Sequence, residues 1–152
     1  NKVDGEAKND IQFSFINAVN GKKHIIPYND GTFDIITVLQ ALHHFENLSN
    51  MMKEIKRLCM IGGTVIIREH NAHNKNTKML TDLEHLFYGI LYDNLSIDDF
   101  AENYYGVYRS ANEWDVMFAE HGFKCVHKVL KKNPTKYYYA VYVNVGLEED
   151  EH

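Results

Sequence analysis

The residues best equipped for chemistry are a few histidines, acids and tyrosines. Glu69-His70 follows the apolar run at residues 64–67, and so stands where a buried strand ends. Either side chain can orient or deprotonate an acceptor if it comes within hydrogen-bond distance of the transferred proton. The structural alternative is that Glu69 caps a helix or pairs with Arg68 or Lys75. Glu84-His85 lies off the apolar stripe of a helical pattern, where a solvated face is the natural reading. Tyr104, Tyr105, Tyr108 and Arg109 form an aromatic and cationic group that can stack on a base or pack over a sheet edge. His43-His44 has the residue type for a metal pair. Adjacent histidines on one short loop are expected to point apart, a zinc site needs about four ligands, and the other histidines show no ligand spacing. No metal is therefore expected. No Ser/His/Asp or Cys/His nucleophile arrangement is evident.

The elements that must position these residues centre on residues 27–70. Asn29-Asp30-Gly31 is a turn. Residues 33–39 are a nearly continuous apolar run, as expected for a strand covered on both faces. Asn47 can cap a helix whose stripe is Leu48, Met51, Met52, Ile55, Leu58 and Cys59, with Lys53, Glu54, Lys56 and Arg57 outside it. Gly62-Gly63 is expected to stop that helix, and residues 64–67 form a second buried strand. Together these make one βαβ unit of a parallel sheet.

Around this unit, residues 11–16 read as a strand and residues 77–92 as an amphipathic helix with Met79, Leu80, Leu83, Leu86, Phe87, Ile90 and Leu91 on one face. Residues 96–108 read as a short helix plus loop. Ser110 and Glu113 fit a capping box for a helix through Trp114 that stops at Gly122. Residues 123–130 and 136–145 read as two strands around Asn133-Pro134-Thr135, an antiparallel pair. The expected class is α/β: parallel strands with a closing antiparallel hairpin. Residues 1–10 read as a polar leader and residues 146–152 as an acidic tail, leaving 11–145 as the domain.

A net charge of -5 gives no general attraction to nucleic acid or anionic lipid. No run approaches the ~20 apolar residues needed to span a bilayer, so no membrane partner is expected. Cys59 and Cys125 sit in apolar patterns and read as reduced, buried thiols, which points to a cytoplasmic protein. The chain starts without Met, and reads as part of a longer or processed protein. In an open α/β sheet, ligands bind beyond the carboxyl ends of the strands. Those ends are Asn17-Ala18, Leu39-Gln40-Ala41 and Glu69-His70.

Tyr28-Asn29-Asp30-Gly31-Thr32-Phe33-Asp34 followed by Ala41-Leu42-His43-His44 resembles the central motif of class I S-adenosylmethionine-dependent methyltransferases. Lys53-Glu54-Ile55-Lys56-Arg57-Leu58, then Gly62-Gly63-Thr64-Val65-Ile66-Ile67, resembles that family's next helix and strand. The stretch ending in Gly122-Phe123 resembles its late helix before the closing hairpin. The resemblance implies a Rossmann-like sheet and S-adenosylmethionine as cofactor. It implies that Asn17 and Ala18 lie near the adenine, that Leu39, Gln40 and Ala41 line the cofactor, and that Glu69, His70, His85 and Tyr108 face the acceptor. That acceptor is a small molecule or an RNA cap.

The sequence departs from the family at the donor side. It has no Gly-x-Gly pattern, no acidic residue after a second strand, Asn17 where Asp is common, and Ile61 where Pro is common. The sheet is therefore expected to be incomplete. Two central strands are to be supplied upstream or by a second chain, and methyl transfer depends on them. The alternative is a non-catalytic binding or assembly module on the same scaffold. Without those strands the edge at residues 33–39 is open and invites pairing.

Overall fold

The computed structural model describes residues 25–132 and 136–146. The expected strand at residues 11–16, Asn17 and Ala18, the leader, the Asn133-Pro134-Thr135 turn and residues 147–152 lie outside the described residues. Chain order is β1 (Phe33–Leu39), a 3-10 turn (Leu42–His44), α1 (Leu48–Leu58), β2 (Cys59–His70), α2 (Lys75–Tyr92), α3 (Ile97–Asn103), α4 (Ala111–Glu120), β3 (Phe123–Lys131) and β4 (Tyr137–Asn144). Sheet order is β1-β2-β4-β3. β1 and β2 are parallel, while β4 runs antiparallel to both β2 and β3. The βαβ unit and the closing hairpin stand as the sequence implies.

The helix caps follow the local chemistry. The Asn47 side chain accepts from the Asn50 amide at the start of α1. Ser110 and Glu113 make a reciprocal capping box at α4, and Ser96 and Asp99 make another at α3. α1 buries Leu48, Met51, Met52 and Ile55 in one cluster with Val65 and Ile67 of β2. On the same core, Trp114 and Phe118 of α4 are fully buried, and Phe118 stacks on Tyr142 with ring centroids 4.0 Å apart. Each such side chain contributes about 1.5–3 kcal/mol by leaving water.

The glycine pair is corrected. α1 ends at Leu58, with Cys59 already extended. β2 starts there, and Gly62-Gly63 lies inside it. β1 moves from Phe33 to Ile35 while β2 moves from Cys59 to Thr64, so residues 60–63 loop out of register. Gly62 takes φ +80 there, and a Cβ on Gly63 would sit 2.9 Å from the Met60 carbonyl oxygen. The glycines permit a bulge rather than a helix stop.

Glu54 is also corrected. It is buried, not outside the stripe. It accepts from the Ile26 amide at 3.0 Å and pairs with Arg57 at 2.8 Å. Arg57 reaches on to the Tyr28 and Ile26 carbonyls and to Asp30. These contacts fasten residues 26–30 onto α1, leading the chain into β1.

The apolar face of α2 does not join the core. Met79, Leu80, Leu83, Phe87 and Leu91 are exposed, whereas Thr81 and Gly89 are buried. α2 instead meets α3 at Gly89, where a Cβ would lie 3.1 Å from the Phe100 ring. Its polar side brings His85 next to His43 and His70. Among the described residues, β1 has no partner on its outer side, and Ile35 and Leu39 are exposed.

Candidate functional site

The site begins at a left-handed residue. Gln40, directly after β1, has φ 54, unusual for a residue with a side chain. Its amide donates to the Arg68 carbonyl at 2.6 Å, tying the end of β1 to β2. The chain then turns through Leu42–His44, and Glu69 holds that turn. One Glu69 oxygen accepts from the Ala41 and Leu42 amides at 3.0 and 2.8 Å; the other faces His43 Nδ1 at 2.6 Å. Glu69 is fully buried. As a proton-transfer group facing an acceptor it is therefore corrected: its oxygens are taken up by the turn. Its contacts hold the turn that follows β1.

The histidines converge. The rings of His43 and His44 are 4.0 Å apart, so the expectation that they point apart is corrected. His70, from the end of β2, lies 5.0 Å from His43. His85, from α2, lies 5.1 Å from His70 and 5.3 Å from His43. The solvated-face reading of His85 is thus overturned: the helix presents it inward.

Tyr108 closes the cluster. It is buried, and its hydroxyl contacts His85 Nδ1 at 3.2 Å and the Tyr104 hydroxyl. His70, His85 and Tyr108 therefore meet in one place, with Glu69 behind them. Tyr105 contributes through its backbone, its carbonyl accepting from His44 Nδ1 at 2.8 Å. Arg109 lies over Trp114 instead, 5.2 Å from the ring to the guanidinium carbon.

Burial governs the protonation of this cluster. It lowers His70 to about 3, with the neighbouring histidines adding to the effect. It also lowers His44 and His85, against the hydrogen bonds they make to backbone carbonyls. Burial pushes Tyr104 up to about 12 and Tyr108 up further. At neutral pH His44, His70 and His85 are uncharged, and Tyr104 and Tyr108 keep their protons.

Two clefts flank the cluster. One, of about 370 Å³, is lined by Gln40, Arg68, His70, Glu84, His85 and Tyr137, among others. The second, of about 290 Å³, lies between α2 and α3 and shares His85 and Tyr88 with the first. Arg68 packs over Tyr137 at 4.4 Å, giving the first cleft a cationic wall. Of the residues expected to line a cofactor, Gln40 faces this cleft, Leu39 is exposed at the outer edge of β1, and Ala41 is clamped by Glu69.

Sequence reasoning missed the convergence of the four histidines and the clamp by Glu69. The first had no local signal, since the rings come from a loop, a strand end and a helix.

A family model described as a methyltransferase domain matches residues 2–67. The sterol 4-C-methyltransferase strm-1 of Caenorhabditis elegans is 27% identical over 99 residues, covering 62% of this chain. The chain spans 28% of the length of that curated relative. A SAM-dependent methyltransferase from Methanosarcina mazei superposes with a TM-score of 0.62 at 13% identity, covering 88% of this chain and 67% of that one. A putative methyltransferase complexed with the Trm112 activator of Haloferax volcanii gives 0.55 at 14% identity, covering 82% and 59%. No helix among the described residues is long and apolar enough to cross a membrane.

Proposed function

We propose, for a chain that has the class I S-adenosylmethionine-dependent methyltransferase fold, that it forms the acceptor side of a methyl-transfer site. The observation that carries this reading is the meeting of His70, His85 and Tyr108 beside the Gln40 turn, at the carboxyl ends of two parallel strands. That is where the fold receives ligands.

The cofactor supplies an electrophilic methyl group when bound. Leu39, Gln40 and Ala41 are the residues that would hold its near edge, and no described residue provides a glycine-rich loop for the remainder. Most of what the chain itself must do is align the acceptor and exclude water. His70, lowered to about 3, is too weak a base to store a proton at neutral pH, but its neutral ring accepts a hydrogen bond. Tyr108 and Tyr104 remain protonated and donate. Arg68 favours an acceptor with a polar or anionic part. A cleft of about 370 Å³ fits a small molecule, or a single base of an RNA cap stacked on Tyr137. The small-molecule acceptor is favoured by the net negative charge.

The missing strands enter at the free edge of β1. An upstream segment or a second chain pairing there would complete both the sheet and the donor pocket. Calorimetric titration of S-adenosylmethionine into the protein extended upstream is the test, with saturable heat expected. No heat on a folded protein would overturn the reading and leave the non-catalytic binding or assembly module. The absence of any Gly-x-Gly in the sequence favours that second reading.

A further inference from the structure

We propose that His43, His44 and His85 form a binding site for a divalent first-row transition metal. One ring nitrogen from each lies within 4.8 Å of the others. The hydrogen bonds decide which nitrogen is available. His44 Nδ1 is 2.8 Å from the Tyr105 carbonyl, and His85 Nδ1 is 2.8 Å from the Thr81 carbonyl. A carbonyl only accepts, so each Nδ1 carries the hydrogen and each Nε2 keeps its lone pair. His43 Nδ1 faces the Glu69 carboxylate at 2.6 Å, which fixes the same tautomer.

A second observation points to a ligand. His43 Nε2 is buried and has no hydrogen-bond partner, and neither has His70 Nε2 close by. A buried polar nitrogen without a partner is costly. A cation held between His43, His44 and His85 would satisfy the His43 nitrogen. The Glu69–His43 pair has the carboxylate–histidine form that orients metal ligands. All-nitrogen donors select zinc, cobalt, nickel, copper or iron over calcium and magnesium. Around a tetrahedral zinc at about 2.0–2.1 Å, ligand nitrogens stand about 3.4 Å apart. The rings must turn to bring their nitrogens from within 4.8 Å to that spacing.

The test is Co²⁺ added to the intact protein after chelation. One equivalent should give the visible d–d bands of a four- or five-coordinate ion, lost on adding Zn²⁺. His44→Asn and His85→Asn, both at half-buried positions, should abolish the bands with the circular dichroism unchanged. Glu69→Gln keeps the shape and the Ala41 and Leu42 contacts. Its amide donates to His43 Nδ1 and moves the hydrogen to Nε2, so Co²⁺ affinity should fall about 10- to 100-fold. His121→Asn, outside the cluster, should bind as the parent does. Absence of bands at millimolar Co²⁺ on folded protein, or bands surviving both asparagine substitutions, would overturn the proposal. The readout needs no methyl donor, so its failure and that of the methyl-transfer reading are separate results.

Discussion

Tyr108 and Asp115 are the residues whose substitution says most. The Tyr108 hydroxyl bridges His85 and Tyr104. Tyr108→Phe should leave S-adenosylmethionine affinity unchanged in a complete donor site while lowering kcat by about 100-fold, as expected for a misplaced acceptor. Steady-state kinetics beside calorimetry would separate the two effects. Asp115 accepts from the Tyr138 and Tyr142 hydroxyls and pairs with Lys128 at 2.8 Å. Burial pushes its carboxyl up, but the hydrogen bonds from Lys128, Tyr138 and Tyr142 outweigh that and leave it below the ordinary range. A carboxylate lowered in the fold stabilises at pH above its unfolded value of about 3.9, and the contribution is lost as pH falls through the folded value. Asp115→Asn should therefore be less stable at pH 7 by about 1–3 kcal/mol. The gap to the parent should narrow between pH 5 and 2 in urea titrations. An unchanged gap across that range would show that the carboxylate's charge is not what stabilises the tyrosine pair.

At the scale of elements, the turn after α4 is the most constrained point. Gly122 has φ +74, and an added Cβ would lie 2.2 Å from the Gly146 carbonyl oxygen. Gly122→Ala should cost about 2–4 kcal/mol, read as a lowered denaturation midpoint at constant slope. Gly62→Ala meets open space and only the positive φ, so its cost should be about 1 kcal/mol. The contrast shows what could be read in advance. Gly122 as a helix stop was legible, because an apolar period ended there. Gly62-Gly63 carried the same composition but lies in a bulge, since the helix closes earlier at Leu58. The α1 stripe was legible because its partner β2 follows directly. The α2 stripe was equally periodic, yet periodicity identifies an apolar face without supplying something to cover it.

At the scale of the whole molecule, the four strands among the described residues have two interior members, β2 and β4, and two edges, β1 and β3. β4 is paired on both edges, while β1 is paired only with β2 among the described residues. Amide hydrogen exchange should rank β4 as better protected than β1 in this chain, and the upstream extension should raise β1 towards β4. Equal protection in the 152-residue chain would mean that its β1 edge is already covered. Fold class was readable because two apolar runs bracketed a helix in order, although the first, β1, holds no fully buried side chain among the described residues. The site was half readable. Strand ends could be located from their runs, which put Gln40 just after β1 and His70 at the end of β2. Ring-to-ring convergence depends on how α2 crosses the sheet, which no local spacing encodes.

The Glu69 carboxylate touches both halves of this arrangement at once. One oxygen restrains the Ala41–Leu42 backbone on the proposed donor side, and the other sets His43 in the proposed metal site. A displacement at either end is felt through the same two C–O bonds. Loading one occupant should then change the grip on its counterpart, and thermodynamics requires the same ratio whichever arrives first.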